Sequence, residues 1–392
     1  MKILFVSENY FPSVSGVPVV VRYLAEGLAQ RDYEVSVVTQ MPEGTAREEL
    51  FSNIKVKRFD VYRSKFYKYS GEIDEYINFV INNDADVLIL ECSECFTTDL
   101  LLPHLGAFKG KILFHSHGMS GFTAKIFAVK DNLKHTLGTT YNWINAKLYF
   151  SYKFKKAFKY IDAFMCLSDV DSGIGYIRMY AKKVYILDNA CSDIFFCKNL
   201  ESNAINKYTE LENERYMMSC ANYSVVKNQK EMIRQYYQSE SSKSYSLVCI
   251  GSQDNIYYQE CLKLKDNMEK RYGHRDVKLL YGISRSDIPA ILSNASIYLT
   301  TSNLEQYSIS IIEAMSQGIP FISTNVGNAR LLPGGKTIDS VFEIHNVIDE
   351  LLANKQMYSA YSKAGKSFAF NNCRISAVVD KLEQIISETI GR

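Results

Sequence analysis

Two glutamates, Glu305 and Glu313, lie eight positions apart in a segment rich in hydroxyl side chains. Gly318, which precedes a proline by two positions, ends the helix predicted to contain Glu313, and Ser308 or Ser310 can begin that helix. The start of a helix offers unpaired amide groups and a partial positive charge, which suit a diphosphate. The two carboxylates could accept hydrogen bonds from hydroxyl groups that flank the diphosphate. A capping residue and a solvated helix face are the structural alternative for the same two acids.

The elements that must position these residues alternate along the chain, with short apolar strands followed by longer amphipathic stretches. This alternation predicts parallel sheets covered by helices on both faces. A polar stretch at 198–213 interrupts it, so we expect an α/β fold of two doubly wound units, 1–195 and 196–370, with a last helix at 371–392 that packs back on the first unit. Ligands of such sheets bind beyond the carboxyl ends of the strands, and two facing sheets would form a ligand-binding cleft. The predicted strands are 3–6, 35–39, 87–90, 112–115, 163–167, 184–187, 216–220, 246–250, 277–280, 297–300 and 321–323.

The composition, 47% hydrophobic and 22% charged residues in a chain of 392, is typical of a folded globular protein and excludes a disordered or fibrous one. A formal net charge of +2 provides no overall attraction to nucleic acid. No apolar run approaches the roughly 18–20 residues that span a bilayer, and the apolar start is too short for a secretory signal. Nine scattered cysteines indicate a reducing compartment, so we expect a cytoplasmic protein. The single C-x-x-C, at Cys92 and Cys95, lacks the second pair or histidine cluster of a zinc site.

The pattern E-x-Y-S-I-x-x-I-E-A-M, which begins at Glu305 and is followed by G-I-P-F-I-S-T, resembles the retaining GT-B glycosyltransferases of family GT4. The resemblance continues over nearly the whole chain in the order of the family. It implies two Rossmann-like domains that face each other across a cleft, the first binding the acceptor and the second binding a nucleotide-sugar donor. It also implies front-face transfer with retained anomeric configuration, in which the leaving diphosphate helps to deprotonate the acceptor.

The resemblance also implies roles for individual residues. Lys227 corresponds to a lysine that clamps the diphosphate, but Asn222 stands where the family usually has an arginine, which removes a bidentate charged contact. His117 corresponds to a histidine that helps to hold a sugar hydroxyl, and His115, on the same strand face, is its rival. The implied catalytic residues are His117 and Glu305, and the implied donor-binding residues are Gly16, Asn222, Lys227, Gly282, Ile283, Tyr307, Ser308, Ile309 and Glu313.

These roles predict transfer of a hexose or N-acetylhexosamine from a UDP-sugar to a cell-surface glycan or a lipid-linked acceptor. Glu305 would orient the sugar, Glu313 would bind ribose hydroxyls, and Lys227 with the amides near Ser308 would neutralise the leaving diphosphate. No acidic cluster with metal-ligand spacing accompanies these residues, so we expect no metal and no other cofactor. GDP-mannose as the donor, a nucleotide-sugar epimerase of the same fold, and a non-catalytic partner subunit are the alternatives.

A local basic region covers residues 125–159, which contain eight lysines, one acid (Asp131) and many aromatic residues. Lysines and aromatics at helical spacings are typical of an interfacial helix, and anionic lipid attracts each basic residue by about 1 kcal/mol. The region therefore predicts peripheral contact with an anionic membrane, where a lipid-linked acceptor would be found. A solvated helix with a core-facing aromatic stripe is the alternative, and the balanced charge of the remaining chain disfavours nucleic acid.

Overall fold

The structure, a computed structural model, describes residues 1–13, 16–63, 68–119, 133–197, 207–208, 211 and 215–391, and only the backbone of 133–139. These residues form two compact units, Met1–Asn189 with Ile375–Arg392, and Ala190–Arg374. The boundaries predicted at 195/196 and 370/371 therefore lie at 189/190 and 374/375 instead. The reason is that the Cys191 amide donates to the Cys373 carbonyl oxygen at 2.7 Å, and the carbonyl oxygen of buried Phe195 accepts from Ser316 Oγ at 2.9 Å. Both contacts attach this segment to the second unit.

The first unit is built on an eight-stranded sheet with the order β10-β9-β8-β7-β1-β2-β4-β3, beside which β5 and β6 form a separate antiparallel pair. Neighbouring strands of the large sheet are parallel, except that β3 is antiparallel to β4. The inner strands are continuous buried apolar runs, because helices cover both faces. The predicted doubly wound α/β fold is thereby confirmed for this unit. Its strands are β1 (Lys2–Val6), β2 (Glu34–Gln40), β3 (Glu48–Phe51), β4 (Ile54–Phe59), β5 (Val61–Arg63), β6 (Tyr69–Gly71), β7 (Val87–Glu91), β8 (Lys111–His115), β9 (Ala163–Cys166) and β10 (Val184–Ile186).

Helices return the chain between the parallel strands of the first unit. The first of them buries Val20, Leu24 and Leu28 on one face, as their four-residue spacing predicts. The fourth continues into a π-helical turn at Tyr149–Lys153 and a 3-10 turn at Phe154–Ala157. These helices are α1 (Val17–Ala29), α2 (Ile73–Ile81), α3 (Phe96–Asp99), α4 (Leu133–Leu148) and α5 (Ile174–Tyr180).

The second unit is built on a six-stranded, entirely parallel sheet with the order β13-β12-β11-β14-β15-β16. The direction in which strands are added reverses between β11 and β14, which makes their carboxyl ends the expected ligand edge of the sheet. The strands are β11 (Tyr216–Cys220), β12 (Ser246–Gly251), β13 (Val277–Tyr281), β14 (Ile297–Thr300), β15 (Phe321–Thr324) and β16 (Gly335–Ile338). The helices are α6 (Gln229–Gln238), α7 (Ile256–Tyr272), α8 (Ile288–Ser293), α9 (Ile309–Ser316), α10 (Ile344–Ala353) and α11 (Lys355–Asn372).

The last helix, α12 (Ile375–Ile390), packs on α1 and so belongs to the first unit. The two helices approach closely because α1 has Gly27 at the contact, where an added Cβ would lie 2.4 Å from a Val379 methyl group. At the edge of this contact Arg31 pairs with Asp380 at 2.7 Å and with Glu383. The fold of the first unit is therefore closed by residues from both ends of the chain.

Candidate functional site

The carboxyl edge of the second sheet brings together three loops that are far apart in sequence. These are the loops after β11, β13 and β14, and the last of them leads into α9. The loops after β11 and β14 are joined directly, because the Asn303 amide donates to the Val226 carbonyl oxygen at 2.7 Å. Side chains from all three loops can therefore meet at one place.

An ion pair between Lys227 and Glu305 lies at the centre of this edge. Lys227 Nζ donates to Glu305 Oε1, which also accepts from Ser302 Oγ at 2.8 Å. Thr301 Oγ1 lies 3.0 Å from the carbonyl oxygens of both Lys227 and Asn228, and so fixes the backbone immediately before α6. The Lys227 side chain keeps 30% of its surface exposed and that of Glu305 keeps 15%. The pair is thus held in place and remains accessible to a ligand.

The start of α9 lies next to this ion pair along the chain. Ser308 is the N-cap residue, which agrees with one of the two predicted starts, and its amide donates to Asn328 Oδ1 at 3.1 Å. The following amides, at Ile309 and Ser310, lie in the first turn, where a helix supplies no carbonyl acceptor. Tyr307 is buried, with its hydroxyl 3.8 Å from Cys373 Sγ. The helix therefore presents amide groups beside Glu305.

Close backbone packing supports the loop that carries Glu305. Gly327 has a positive φ of 55°, and a Cβ there would lie 2.8 Å from the Gln306 carbonyl oxygen. Only glycine permits both the conformation and the approach. The loop after β15 thus contacts the backbone of the loop after β14 at Glu305 and Gln306.

The second acid, Glu313, is held by an arginine that the sequence interpretation missed. Arg285 forms a bidentate pair with Glu313, with Nη1 3.2 Å from Oε2 and Nη2 bonded to Oε1. The Glu313 side chain is buried, whereas that of Arg285 keeps 55% of its surface exposed. Burial raises the pKa of Glu313, and the Arg285 guanidinium opposes that rise. The available signal was the position of Arg285, a basic residue shortly after a buried parallel strand, in the loop that contains Gly282 and Ile283.

The remaining predicted residues of this unit lie in loops that follow strands at the same edge of the sheet. Asn222 is exposed, and its carbonyl oxygen accepts from Gln229 Nε2 at 3.0 Å. Gly282 is exposed with a φ of 71°, and its amide donates to the Gly251 carbonyl oxygen at 3.2 Å. Ile283 is half-buried. The positive φ explains the glycine at 282, and the backbone of this loop remains open to a ligand.

The two other predicted residues belong to the first unit. Gly16 is the N-cap of α1, with φ 66° and ψ −142°, a conformation that glycine adopts readily and other residues avoid. His117 follows β8 with a positive φ of 47°, and its Nε2 is bonded to Glu91 Oε2. The imidazole groups lower the pKa of Glu91 to about 2 against the opposing effect of its burial, and burial lowers the pKa of His117. The roles of Gly16 and His117 toward a sugar remain predictions.

A cluster with metal-ligating side chains is present in the first unit, although the sequence interpretation found none. Glu91, His115 and His117 each offer one ligand atom, and these atoms lie within 4.8 Å of one another. In the part of the chain that the structure describes, this is the one group of three or more His, Cys, Asp or Glu side chains whose possible ligand atoms lie that close together.

The prediction for the basic region is corrected in part, and its contact with a membrane stays a prediction. Residues 125–132 lie outside the described residues. The aromatic side chains of Phe150, Phe154 and Phe158 are buried in the core of the first unit, so the core-facing alternative is correct for them. Tyr141 and Tyr152 are largely exposed. No helix within the described ranges has both the length and the apolar composition needed to cross a bilayer.

Comparison with known proteins assigns this chain to a family. The family described as "Glycosyl transferases group 1" matches residues 201–368, and "Glycosyltransferase Family 4" matches residues 14–171. A curated relative, N-acetyl-alpha-D-glucosaminyl L-malate synthase of Bacillus anthracis, is 19% identical over 215 residues, which are 53% of this chain and 55% of that protein. The chain thus matches about half the length of this relative.

Two solved structures share the fold over the whole chain. Sucrose-phosphate synthase from Thermosynechococcus elongatus has a TM-score of 0.74 at 14% identity, with 100% of this chain and 99% of that chain covered. HepE from Anabaena, solved in complex with UDP and glucose, has a TM-score of 0.65 at 15% identity, with coverage of 99% and 100%. The two family matches together cover most of the sequence, and both units have the predicted Rossmann-like topology. The chain belongs to the group 1 glycosyltransferases of family 4 and has the GT-B fold.

Proposed function

We propose that this glycosyltransferase moves a hexose or N-acetylhexosamine from a UDP-sugar, with retention of configuration, to a cell-surface glycan or a lipid-linked acceptor. The observation that carries the proposal is the Lys227–Glu305 pair beside the first amides of α9, at the carboxyl edge of the second sheet. A lysine and a helix start in one place are what a diphosphate requires. UDP is favoured as the nucleotide because HepE, which shares the fold, was solved with UDP and with UDP-glucose.

The proposed reaction uses the diphosphate both as leaving group and as base. The bond between the anomeric carbon and the diphosphate oxygen breaks, and the acceptor oxygen bonds to the same face of that carbon. The acceptor proton passes to the departing diphosphate. Lys227 and the amides of Ile309 and Ser310 stabilise the charge that develops on the leaving group, so the step needs no metal ion. Glu305, released from Lys227 by the diphosphate, orients the sugar.

Arg285 keeps the Glu313 carboxylate ionised, so that it can accept hydrogen bonds from the hydroxyl groups of a ribose. A carboxylate accepts hydrogen bonds from hydroxyl groups only through free lone pairs, and ionisation of a buried acid requires a nearby positive charge. Arg285 supplies that charge through its two contacts with Glu313.

The first test measures binding of UDP and of uridine to Lys227→Ala by calorimetry. Lys227 should donate a charged hydrogen bond worth about 1.5–3 kcal/mol, so UDP affinity should fall about 10- to 100-fold while uridine affinity stays the same. Lys230→Ala is the matched control, because Lys230 has a similar exposure of 32% and also pairs with a glutamate, Glu260. Equal losses for UDP and uridine would contradict the diphosphate contact.

The second test separates binding from transfer. Glu305→Gln should keep UDP affinity within a few-fold and lose transfer of sugar from the donor, whereas Glu260→Gln should change neither. The substrate is found by screening UDP, GDP and ADP sugars for a rise in Tm, since ligand binding stabilises the folded state by mass action. NMR of the product anomer then determines whether configuration is retained. A rise in Tm with GDP-mannose and no rise with UDP-sugars would contradict the proposed UDP-sugar and identify GDP-mannose as the donor.

We further propose that an exposed apolar stripe on α4 and the following turn contacts an anionic membrane. The side chains of Tyr141, Ile144, Leu148 and Tyr152 follow one another at spacings of three or four residues and keep between 45% and 66% of their surface exposed. This spacing places them on one side of the helix. Residues 140–160 carry five lysines and no acid, so the stripe is flanked by positive charge alone. Apolar and basic residues together are what an anionic lipid surface binds.

Sedimentation with anionic vesicles tests this contact. Lys155, Lys156 and Lys159 changed together to Glu should lose binding, because the attraction of about 1 kcal/mol per lysine becomes repulsion. The control changes Lys263, Lys265 and Lys270, on α7, to Glu and so alters the net charge equally. Wild-type protein that stays in the supernatant, or equal losses in both triple variants, would rule out this surface.

A further inference from the structure

A groove of about 390 Å³ opens among the helices of the first unit. Its walls are the end of α4, the π-helical turn Tyr149–Lys153, the 3-10 turn Phe154–Ala157 and α5. Among the described residues that line it, none belongs to a loop that follows a strand. Small-molecule sites usually have volumes of about 300–1,000 Å³, and the groove falls within that range.

The wall of the groove that follows α4 changes its helix type along its length. π-Helical turns are rare, and within α-helices they are frequent at functional sites. The Phe150 carbonyl oxygen, inside this π turn, accepts a hydrogen bond from the Tyr176 hydroxyl of α5. The two walls of the groove are thus joined to each other by this hydrogen bond.

Aromatic rings and a methionine form the apolar part of the lining. The ring of buried Phe150 lies 5.7 Å from that of Tyr176, which lies 5.4 Å from that of Tyr180. These rings meet edge to face, at 69° and 67°, so they offer no parallel faces between which a nucleobase could stack. Met179 is 70% exposed, and its flexible side chain can adapt to an apolar ligand. The lining therefore suits an alkyl chain better than a flat ring.

The charge in the lining is entirely positive. Of the lining residues that the structure describes, Lys147 and Lys155 are basic and none is acidic. Lys155 Nζ lies 4.4 Å from the centre of the Tyr180 ring, which places its charge beside the aromatic wall. A lysine binds phosphate as a point charge, without a fixed geometry. A matching ligand has an anionic part joined to an apolar part.

The groove borders the apolar stripe of Tyr141, Ile144, Leu148 and Tyr152. Lys147 precedes Leu148 by one residue, which corresponds to a rotation of about 100° around an α-helix. The groove therefore lies on the neighbouring side of the same helix. An interfacial helix buries its apolar face about 5–10 Å into the boundary between lipid headgroups and acyl chains. If the stripe binds a membrane as proposed above, the groove opens close to the lipid phosphates.

The size of the groove disfavours a protein partner. An α-helix about 10 Å across occupies about 400 Å³ per turn, so the groove would hold about one turn of a partner helix. Helices that dock in a groove use anchors at positions i, i+3, i+4 and i+7, which extend over about two turns. A lipid molecule needs no such length.

We propose that this groove binds one molecule of an anionic phospholipid. The phosphate lies between Lys147 and Lys155, and the first part of one acyl chain lies against Phe150, Met179 and Tyr180. This binding rests on the proposed membrane contact, because that contact brings the groove to the lipid. It also makes the contact selective for anionic headgroups.

A soluble short-chain lipid tests the groove without a bilayer. Dihexanoyl phosphatidylglycerol, kept below its critical micelle concentration, is titrated into the full chain by calorimetry. One equivalent should bind, and dihexanoyl phosphatidylcholine, which has the same chains and no net charge, should bind about tenfold more weakly. Equal affinity for the two headgroups would overturn the proposal. Tighter binding of geranyl phosphate, a short isoprenoid lipid, would reassign the groove to an isoprenoid-linked ligand.

Lysine substitutions test the phosphate contact. Lys155→Gln should weaken phosphatidylglycerol binding about tenfold, because it removes a charged contact. Lys159→Gln is the matched control, since Lys159 is also exposed and lies over a tyrosine ring, that of Tyr160, at 4.5 Å, yet does not line the groove. Equal losses in the two variants would contradict the phosphate contact.

A substitution that fills the groove tests the apolar contact. Ser151→Trp adds a large side chain without a change of charge and should abolish binding of the short-chain lipid. Ser151 is exposed, so the new side chain does not enter the core, and an unchanged Tm confirms folding. Retained affinity in a folded Ser151→Trp protein would overturn the groove as the binding site.

Tyr152→Ser separates the groove from the stripe. Tyr152 is 66% exposed and does not line the groove, so sedimentation with anionic vesicles should fall while binding of the soluble lipid stays the same. Wild-type protein that sediments with vesicles but does not bind the soluble lipid would overturn the groove and keep the membrane contact. The reverse result would overturn the membrane contact and keep the groove. UDP affinity, measured in the same variants, should not change, because the proposed UDP contacts lie in the second unit.

Discussion

Removal of the Arg285 side chain tests how far a single arginine controls the second acid of the site. Arg285→Ala leaves Glu313 buried with neither of the two hydrogen bonds that it accepts in the wild-type protein. Breaking a fully buried ion pair by removing one partner costs about 3–5 kcal/mol. Because 55% of the Arg285 side chain is exposed and screened by solvent, we expect a smaller loss of about 1–3 kcal/mol.

The loss should depend on pH in a defined direction. Burial raises the pKa of Glu313 above its ordinary value of 4.5, and removing Arg285 raises it further. An acid whose pKa is higher in the folded state than in the unfolded state stabilises the fold below its unfolded pKa, and this stability is lost as pH rises through the folded pKa. The difference in unfolding free energy between Arg285→Ala and wild type should therefore be larger at about pH 8 than at about pH 5.

The assay is thermal unfolding of the intact protein at both pH values, with UDP affinity measured alongside. For a unit the size of Ala190–Arg374, each kcal/mol corresponds to about 2–4 °C in Tm. Adding Glu313→Gln to Arg285→Ala should recover part of the loss, since the neutral amide needs no cation. Arg234→Ala is the control, because its partner Glu231 keeps a hydrogen bond from Gln235 at 2.9 Å. A loss that is independent of pH, or that the second substitution does not reduce, would refute the reasoning.

Three further substitutions test the packing that holds the two units in shape. Arg31→Ala should destabilise the first unit by about 1 kcal/mol, because it removes a half-buried pair with Glu383 and a more exposed pair with Asp380; faster proteolysis of α12 would report it. Gly327→Ala should cost about 1–3 kcal/mol and weaken UDP binding, since its φ is 55° and its Cβ would meet a carbonyl oxygen at 2.8 Å. Gly175→Ala, on an exposed face of α5 with open space around it, should instead stabilise by about 0.5–1 kcal/mol, and all three are measured by thermal unfolding.

Most of the strands that could be predicted from sequence are buried along nearly all of their length, as β7, β12 and β14 are. A continuous apolar run such as β7 is readily predicted as a strand from the sequence, and every predicted strand is present in the structure. The strands β3 to β6 and β16 were missed because their side chains are mixed: β4, for example, contains Lys55, Lys57 and Arg58 among its apolar residues. Arg58 is nevertheless 1% exposed, because it donates to the carbonyl oxygens of Ala46 and Phe11 at 2.9 and 3.0 Å. A charged residue in the sequence therefore does not exclude a buried position, because backbone carbonyl oxygens can accept its hydrogen bonds.

Residues of the site were predictable where one segment carries several of them. Glu305, Ser308 and Glu313 lie within one short stretch, and the helix expected there begins at one of the two predicted positions. The Glu91 cluster was missed because its members come from two strands whose pairing is a property of the sheet, not of any local pattern. A search for metal-ligand spacing along the chain finds only neighbours in sequence.

Asn222 and Arg285 together describe where the second unit places its positively charged side chains. The loop after β11 has an asparagine where the family usually has an arginine, and the loop after β13 carries an arginine. The sequence lacks the usual arginine in the loop after β11, which leaves Lys227 as the cation of that loop nearest to Glu305. The loop after β13 carries Arg285, and β13 belongs to the same parallel sheet, so both loops leave the sheet at the same edge. Each cation is paired with one of the two glutamates, and each glutamate is tied to α9 or to the loop before it. In the proposed reaction, a diphosphate that takes Lys227 from Glu305 would leave the Arg285–Glu313 pair intact, so charge on the leaving group and contact with the ribose would be controlled by different cations.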